Sequence, residues 1–278
     1  MFSETIPIRT DHTTARLTAY FQDASPELGL DRKRPVVLIC PGGGYGFVSD
    51  REAEPVALRM CGMGFHACVL RYSVSPEIFP AALWELAASV AWLRQHSEEY
   101  HIDADKIVVC GFSAGAHLAG CLGVFWNRDF LRELTGFSAE EMKPDRLILS
   151  YPVVTSGTFA HRGSFDNLLG DDCRNAEKLE LLSLEKQVTP AMPPVFLWHT
   201  FADDAVPVEN SLLLAQAMRE AGVAFELHIF PEGGHGLSLA DAQTDNGTGT
   251  QIVPECAVWP ALAADWIGRE SGKAAPGI

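Results

Sequence analysis

The chain has 278 residues, 47% of them hydrophobic, with 21 basic against 36 acidic side chains and a net charge of −15. That length suits one α/β domain with insertions and a substantial core, and no apolar run approaches the ~18 residues of a membrane-spanning helix. The acidic balance argues against nucleic acid and anionic membranes as partners; it fits solubility first, and a neutral or weakly cationic substrate second.

The opening Met1-Phe2-Ser3-Glu4-Thr5-Ile6-Pro7 has neither a basic segment nor an apolar one, so the expectation is a protein that is not exported. The first predicted strand runs from Ala15 to Phe21 and the second from Pro35 to Cys40. The second leads directly into Pro41-Gly42-Gly43-Gly44-Tyr45. A glycine run after an early strand lets backbone N–H groups face a site without Cβ obstruction, as donors to a tetrahedral oxyanion must. The alternative, a phosphate loop, lacks both Gly-x-x-x-x-Gly-Lys-Ser/Thr and Gly-x-Gly-x-x-Gly with a suitably placed acid. Ser49 to Glu54 reads as a helix start, with Ser49 or Asp50 as cap and acids in the first turn. The helix from Arg51 to Gly62 carries Ala53, Val56, Ala57 and Met60 on one face. A strand from His66 to Tyr72 follows, then a helix from Ala81 to His96 with Leu83, Leu86, Ala87, Val90 and Leu93 in one stripe.

The β-branched run Lys106 to Phe112 predicts a buried strand. It ends in Gly111-Phe112-Ser113-Ala114-Gly115, before the small, helix-compatible stretch Ala116 to Leu122. Strand, sharp turn and helix form the context of a nucleophile elbow. Flanking glycines remove bulk, so that strand and helix can approach around a strained serine. Ser113 is therefore the candidate nucleophile, with an ordinary helix N-cap as the alternative. The amide of Ala114 should supply one oxyanion donor, and Gly43 or Gly44 the others. The next strand spans Arg146 to Tyr151. Asn127 to Asp145 and Val153 to Met192 are long for connections, and the second should wall the site from the carboxyl end of the sheet.

A strand from Pro194 to His199 precedes Asp203-Asp204-Ala205-Val206-Pro207, and one from Ala224 to Phe230 precedes Gly233-Gly234-His235-Gly236. An acid at one strand end and a histidine at the next complete the order Ser, Asp, His. Asp203 is preferred to Asp204 because the Asp-x-x-Val-Pro spacing then sets Val206-Pro207 at the start of the next helix. His235 is preferred because glycines on both sides free the loop to aim its ring. His117 reads as packing or a helix-surface group, His199 as support for the acid loop, and His161 as a wall residue, with reach to substrate as the alternative. Tyr45 and Tyr151 are the candidates to wall the substrate pocket. Helices are expected over Ser211 to Ala221 and Ala257 to Arg269, and a frayed tail from Ser271 to Ile278. Strands alternating with helices predict a doubly wound, mostly parallel sheet.

In these four motifs and their order the chain resembles α/β-hydrolase-fold esterases, the group of bacterial acetyl esterases, acetylxylan-esterase-like sugar hydrolases and hormone-sensitive-lipase relatives. The resemblance covers roughly residues 15 to 270. Many of those relatives have histidine where this chain has Pro41, so any role of that histidine in ordering the loop is absent. The resemblance implies a single α/β-hydrolase domain over residues 1–278, with residues 153–192 as a partial cap, and no metal or cofactor. It implies a serine carboxylesterase working through an acyl-enzyme, with short acyl groups, above all acetyl on a sugar or xylo-oligosaccharide. The alternatives are an amidase or peptidase on the same fold, including the arylformamidase type, and a non-catalytic binding protein. Seven cysteines without a Cys-x-x-Cys argue for reduced, buried thiols, a cytoplasmic protein and no structural zinc. The only partner implied is a small-molecule ester; nothing in the residues points to an oligomeric state.

Overall fold

Eight strands line up in one sheet in the order β1-β2-β4-β3-β5-β6-β7-β8. They are β1 (Phe2–Pro7), β2 (Arg16–Phe21), β3 (Arg34–Cys40), β4 (His66–Arg71), β5 (Ile102–Phe112), β6 (Arg146–Ser150), β7 (Val195–Thr200) and β8 (Phe225–Phe230). The structure is a computed structural model and describes residues 1–8 and 15–269. β1 and β2 pair antiparallel, as do β2 and β4; every other pairing is parallel.

The parallel strands are buried on both faces, which explains their near-continuous apolar sequences. Successive side chains of β3 go to opposite sides. Val36 and Leu38 join a core with Leu86 and Val90 of α2 (Ala81–Gln95), Leu118 and Leu122 of α3 (Ala114–Phe125) and Leu214. Val37 and Ile39 join a second core with Val56 and Met60 of α1 (Glu54–Gly62) and with Trp259 and Ile267 near the C-terminus. α1 and α2 thus cover opposite faces, and the strand order reverses direction between β3 and β5. In such sheets the crevice at that reversal is where ligands bind.

The largest differences from the sequence reading lie in the first half of the chain. β1 was not foreseen; only Ile6 of its six residues is buried, so an edge strand shows almost no alternation. β5 starts earlier, at Ile102. The helix expected from Arg51 is split: a 3-10 turn covers Asp50–Glu52, and α1 starts at Glu54 with Pro55 in its first turn, where proline's missing N–H costs nothing. The connection 127–145 folds as α4 (Asp129–Thr135) and α5 (Ala139–Met142). The connection 153–192 carries α6 (Arg162–Leu169) and α7 (Ala176–Leu181), and its Phe165, Leu168, Leu182 and Leu184 enter the α2–α3 core. α8 (Glu209–Ala221) and α9 (Trp259–Gly268) complete the fold. The expected frayed tail lies outside the described residues. No described helix is long and apolar enough to cross a membrane. All seven cysteines are unpaired. Burial pushes the Cys40, Cys68, Cys110 and Cys121 thiols well above their ordinary range.

Candidate active site

Four strand ends meet at the carboxyl edge of the sheet. β5 delivers Ser113 in a backbone conformation with φ 53° and ψ −117°, a region that serine rarely adopts. The turn closes only because its neighbours lack side chains. A Cβ on Gly111 would lie 2.3 Å from the Gly115 carbonyl oxygen, and one on Gly115 would lie 2.1 Å from that of Cys40. The turn is fastened to β6: the Ser113 N–H donates to the Ser150 carbonyl at 3.0 Å, and Val153 N–H donates to the Ser113 carbonyl at 3.2 Å.

His235 Nε2 lies 2.7 Å from Ser113 Oγ, and its Nδ1 lies 2.7 Å from Asp203 Oδ2. A carboxylate only accepts, so Nδ1 carries the proton and Nε2 turns its lone pair toward the serine hydroxyl. Asp203 is buried. Its Oδ1 accepts from the amides of Ala205 at 3.0 Å and Val206 at 2.8 Å. Burial alone would raise its pKa; hydrogen bonds from His199 and His235 outweigh that and hold the carboxyl well below the usual range. His199 supports this loop as expected, with Nε2 3.0 Å from the Val206 carbonyl oxygen and Nδ1 2.7 Å from Ser211 Oγ. Asp204 is exposed and, among the described residues, accepts only the His235 backbone N–H, at 3.4 Å. The structure thus brings Ser113, His235 and Asp203 together and leaves Asp204 outside the chain of bonds.

After β3 the glycine loop curls back on itself, with Gly46 N–H donating to the Gly43 carbonyl at 2.9 Å. Gly43 has φ +130°, and a Cβ there would lie 2.1 Å from the Phe47 carbonyl oxygen. The amides of Gly43, Gly44 and Ala114 donate to no acceptor among the described residues. Gly43 and Gly44 border a cleft of about 470 Å³ that also exposes Ser113 and His235.

Sequence reasoning missed Glu52. Only 3% exposed, it accepts from Gly42 N–H at 2.7 Å through Oε2 and from the Tyr151 hydroxyl at 2.6 Å through Oε1. Tyr151 Oη in turn accepts from Ser238 N–H at 2.9 Å, and its ring packs edge-on against His235 with centroids 5.1 Å apart. One carboxylate therefore ties the glycine loop to the histidine loop. Arg51 adds a second tie, donating to the carbonyls of Thr244 at 2.6 Å and Gly236 at 2.9 Å. In sequence, Ser49 to Glu54 looks like a solvated helix start, and spacing carries no sign that its third charged residue turns inward.

Tyr45 and Tyr151 do not wall the cleft, contrary to expectation. Tyr45 is 2% exposed with its hydroxyl 2.9 Å from His117 Nδ1, and Tyr151 is 1% exposed on Glu52. Each hydroxyl has a buried partner, and each ring packs within a hydrophobic core, Tyr45 in one and Tyr151 in the other. Phe47, His161 and Asn167 line the cleft instead. His117 packs as expected, its Nε2 2.8 Å from the Leu182 carbonyl oxygen. Among the described residues no three His, Cys, Asp or Glu side chains form a metal-ligating group.

Residues 27–218 match the family model described as BD-FAE. The chain belongs to the BD-FAE family. The matched span includes the glycine loop, Ser113 and Asp203, and stops before His235. The fold is similar to the carboxylesterase Cest-2923 from Lactobacillus plantarum, at TM-score 0.85 and 31% identity over 96% of this chain and 97% of that one. It is also similar to an acetyl ester-xyloside bifunctional hydrolase from Caldicellulosiruptor lactoaceticus, at TM-score 0.80 and 35% identity over 95% of each chain. These likenesses and the strand order establish the α/β-hydrolase fold. Among curated proteins, endo-1,4-beta-xylanase B of Butyrivibrio fibrisolvens is 39% identical over 223 residues, which are 78% of this chain and 34% of that protein. The chain spans from 34% to 53% of the length of three curated relatives that it matches.

Proposed function

We propose that this BD-FAE protein is a carboxylic ester hydrolase, a serine esterase that removes short acyl groups, chiefly acetyl, from sugars or xylo-oligosaccharides. The observation that carries the reading is the unbroken chain from Ser113 Oγ through the His235 imidazole to buried Asp203, each step 2.7 Å. His235 takes the Ser113 proton as the oxygen adds to the ester carbonyl. The amides of Gly43, Gly44 and Ala114 receive the oxyanion. Collapse expels the alcohol, which leaves with the proton from His235, and Ser113 keeps the acyl group. Water, deprotonated by the same imidazole, then releases the acid and restores the serine. Asp203 fixes the tautomer and steadies the imidazolium without taking the proton. The partner is a small ester, and no step calls for a cofactor.

A cleft of about 470 Å³ suits a small ester better than a long acyl chain. The names of two similar proteins, an acetyl ester-xyloside hydrolase and a xylanase, support the sugar. Unpaired cysteines support a reducing, cytoplasmic compartment. The test pairs wild type with Ser113→Ala on p-nitrophenyl acetate and octanoate. Wild type should favour acetate in kcat/KM, and the variant should lose on the order of 10⁴-fold. A variant that keeps most of its activity refutes the mechanism; an optimum at octanoate refutes the acyl class.

A further inference from the structure

The connection between β6 and β7 lays one face of α6 against the glycine loop. His161, Ser164 and Asn167 recur at three-residue intervals and share that face. Asn167 Nδ2 donates to the Gly44 carbonyl at 2.9 Å. Ser164 is 1% exposed, and its Oγ lies 2.8 Å from His161 Nδ1. A Cβ built on Gly44 would lie 3.9 Å from His161 Cε1, so the imidazole edge borders the loop whose amides await the oxyanion. The ring lines the same cleft as Ser113 and His235.

The protonation of this ring follows from its partner. Among the described residues, Nδ1 is the one hydrogen-bond partner of the buried Ser164 hydroxyl. A buried hydroxyl that failed to donate would be left unsatisfied, so Ser164 donates to Nδ1 and the imidazole proton sits on Nε2. Burial lowers the His161 pKa from its ordinary value, and nearby His235 lowers it further, so the ring is neutral at neutral pH. Nε2 has no partner among the described residues. His161 thus offers the cleft a single neutral N–H donor. The ring of Phe47, 63% exposed in the same cleft, adds an apolar face.

An acetyl group has one polar atom, the carbonyl oxygen, and the backbone amides already serve it. A donor placed beside them has its acceptor on the alcohol half of the ester. We propose that His161 Nε2–H reads a free hydroxyl next to the scissile ester, so that the preferred substrates are partly acetylated sugars with a neighbouring hydroxyl left open. The inference rests on the esterase reading and narrows it to a substrate class. A site that hydrogen-bonds a substrate hydroxyl discriminates against the analogue lacking it, because its own polar group is then left unpaired.

The test compares a monoacetylated methyl xyloside with its deoxy analogue lacking the hydroxyl beside the ester, and runs p-nitrophenyl acetate alongside. Wild type should prefer the hydroxylated ester by roughly 10-fold to 100-fold in kcat/KM. His161→Phe, which keeps a flat ring without the donor, should bring that ratio to within about 3-fold. His161→Gln, whose amide still donates, should retain part of it. A wild-type ratio near one overturns the proposal. So does a His161→Phe that slows both xylosides equally, the mark of a structural or oxyanion role. Hydrolysis of p-nitrophenyl acetate without either xyloside overturns the proposal and leaves the esterase standing; loss of all three overturns both.

Discussion

Replacing Glu52 by glutamine tests whether one buried carboxylate holds the loop that presents the oxyanion donors. Its two oxygens accept from Gly42 N–H at 2.7 Å and from the Tyr151 hydroxyl at 2.6 Å. Glutamine keeps one oxygen and converts the other to NH₂. Turned one way, the amide faces Gly42 donor to donor. Turned the other way, its NH₂ faces the Tyr151 hydroxyl, whose own proton then has no acceptor. In either orientation one buried donor loses its acceptor. A buried hydrogen bond to a charged acceptor contributes about 1.5–3 kcal/mol, so stability should fall by about 2–3 kcal/mol. In a domain of this size that is a drop in Tm of about 4–12 °C. The catalytic effect should be larger, because Gly42 leads directly into Gly43 and Gly44. Losing one oxyanion donor costs about 10²–10³ in kcat. Kinetics on p-nitrophenyl acetate should show kcat down by about 10² with KM changed only a few-fold, since the donors act on the developing oxyanion. Thermal melting of the same samples reads the stability. Wild-type kcat in a variant with lowered Tm would refute the loop-holding role; an unchanged Tm would refute the buried bonds themselves.

Gly115→Ala puts a Cβ 2.1 Å from the Cys40 carbonyl oxygen and 2.4 Å from that of Pro41. It should wedge the nucleophile turn away from the glycine loop, with a stability loss of about 1–3 kcal/mol and about 10² in kcat, both measurable as above; near-native activity would mean that the two loops need not touch. Asp203→Asn should lose roughly 10⁴ in kcat by removing the acceptor that fixes the His235 tautomer, whereas Asp204→Asn should stay within about tenfold, and the reverse order would move the acid to Asp204. Because its hydrogen bonds hold the folded Asp203 pKa below the unfolded value, its stabilisation is present above about pH 4 and fades on acidification. Denaturant midpoints of wild type and Asp203→Asn should therefore converge below about pH 4, and a gap that widened there would contradict the depressed pKa.

The parallel strands were legible in the sequence because each is buried on two faces and reads as an apolar run. β1 was not, since an edge strand with one buried residue leaves almost no pattern. Ser113, Asp203 and His235 were legible because glycine and proline mark the turns that hold them. The glycines at 43, 111 and 115 stand where a Cβ would fall within 2.1–2.3 Å of backbone oxygen, so the motif records a steric demand. Glu52, Tyr45 and Tyr151 were misread for a shared reason. Their direction depends on contacts with residues far along the chain, at separations of 99 for Glu52–Tyr151 and 72 for Tyr45–His117, which no local spacing encodes. His161 was foreseen as a wall residue; its pairing with Ser164 on one face of α6 was not.

The central claim is that Ser113 carries the acyl group between two half-reactions. Rapid mixing of wild-type protein with excess p-nitrophenyl acetate, quenched in acid and read by peptide mass spectrometry, tests it most directly. The account predicts a burst of about one equivalent of nitrophenol per chain where deacylation is the slower step, with an acetyl adduct on the peptide containing Ser113 and none in Ser113→Ala. Steady turnover with the adduct on another residue, or an adduct that persists in Ser113→Ala, would contradict it.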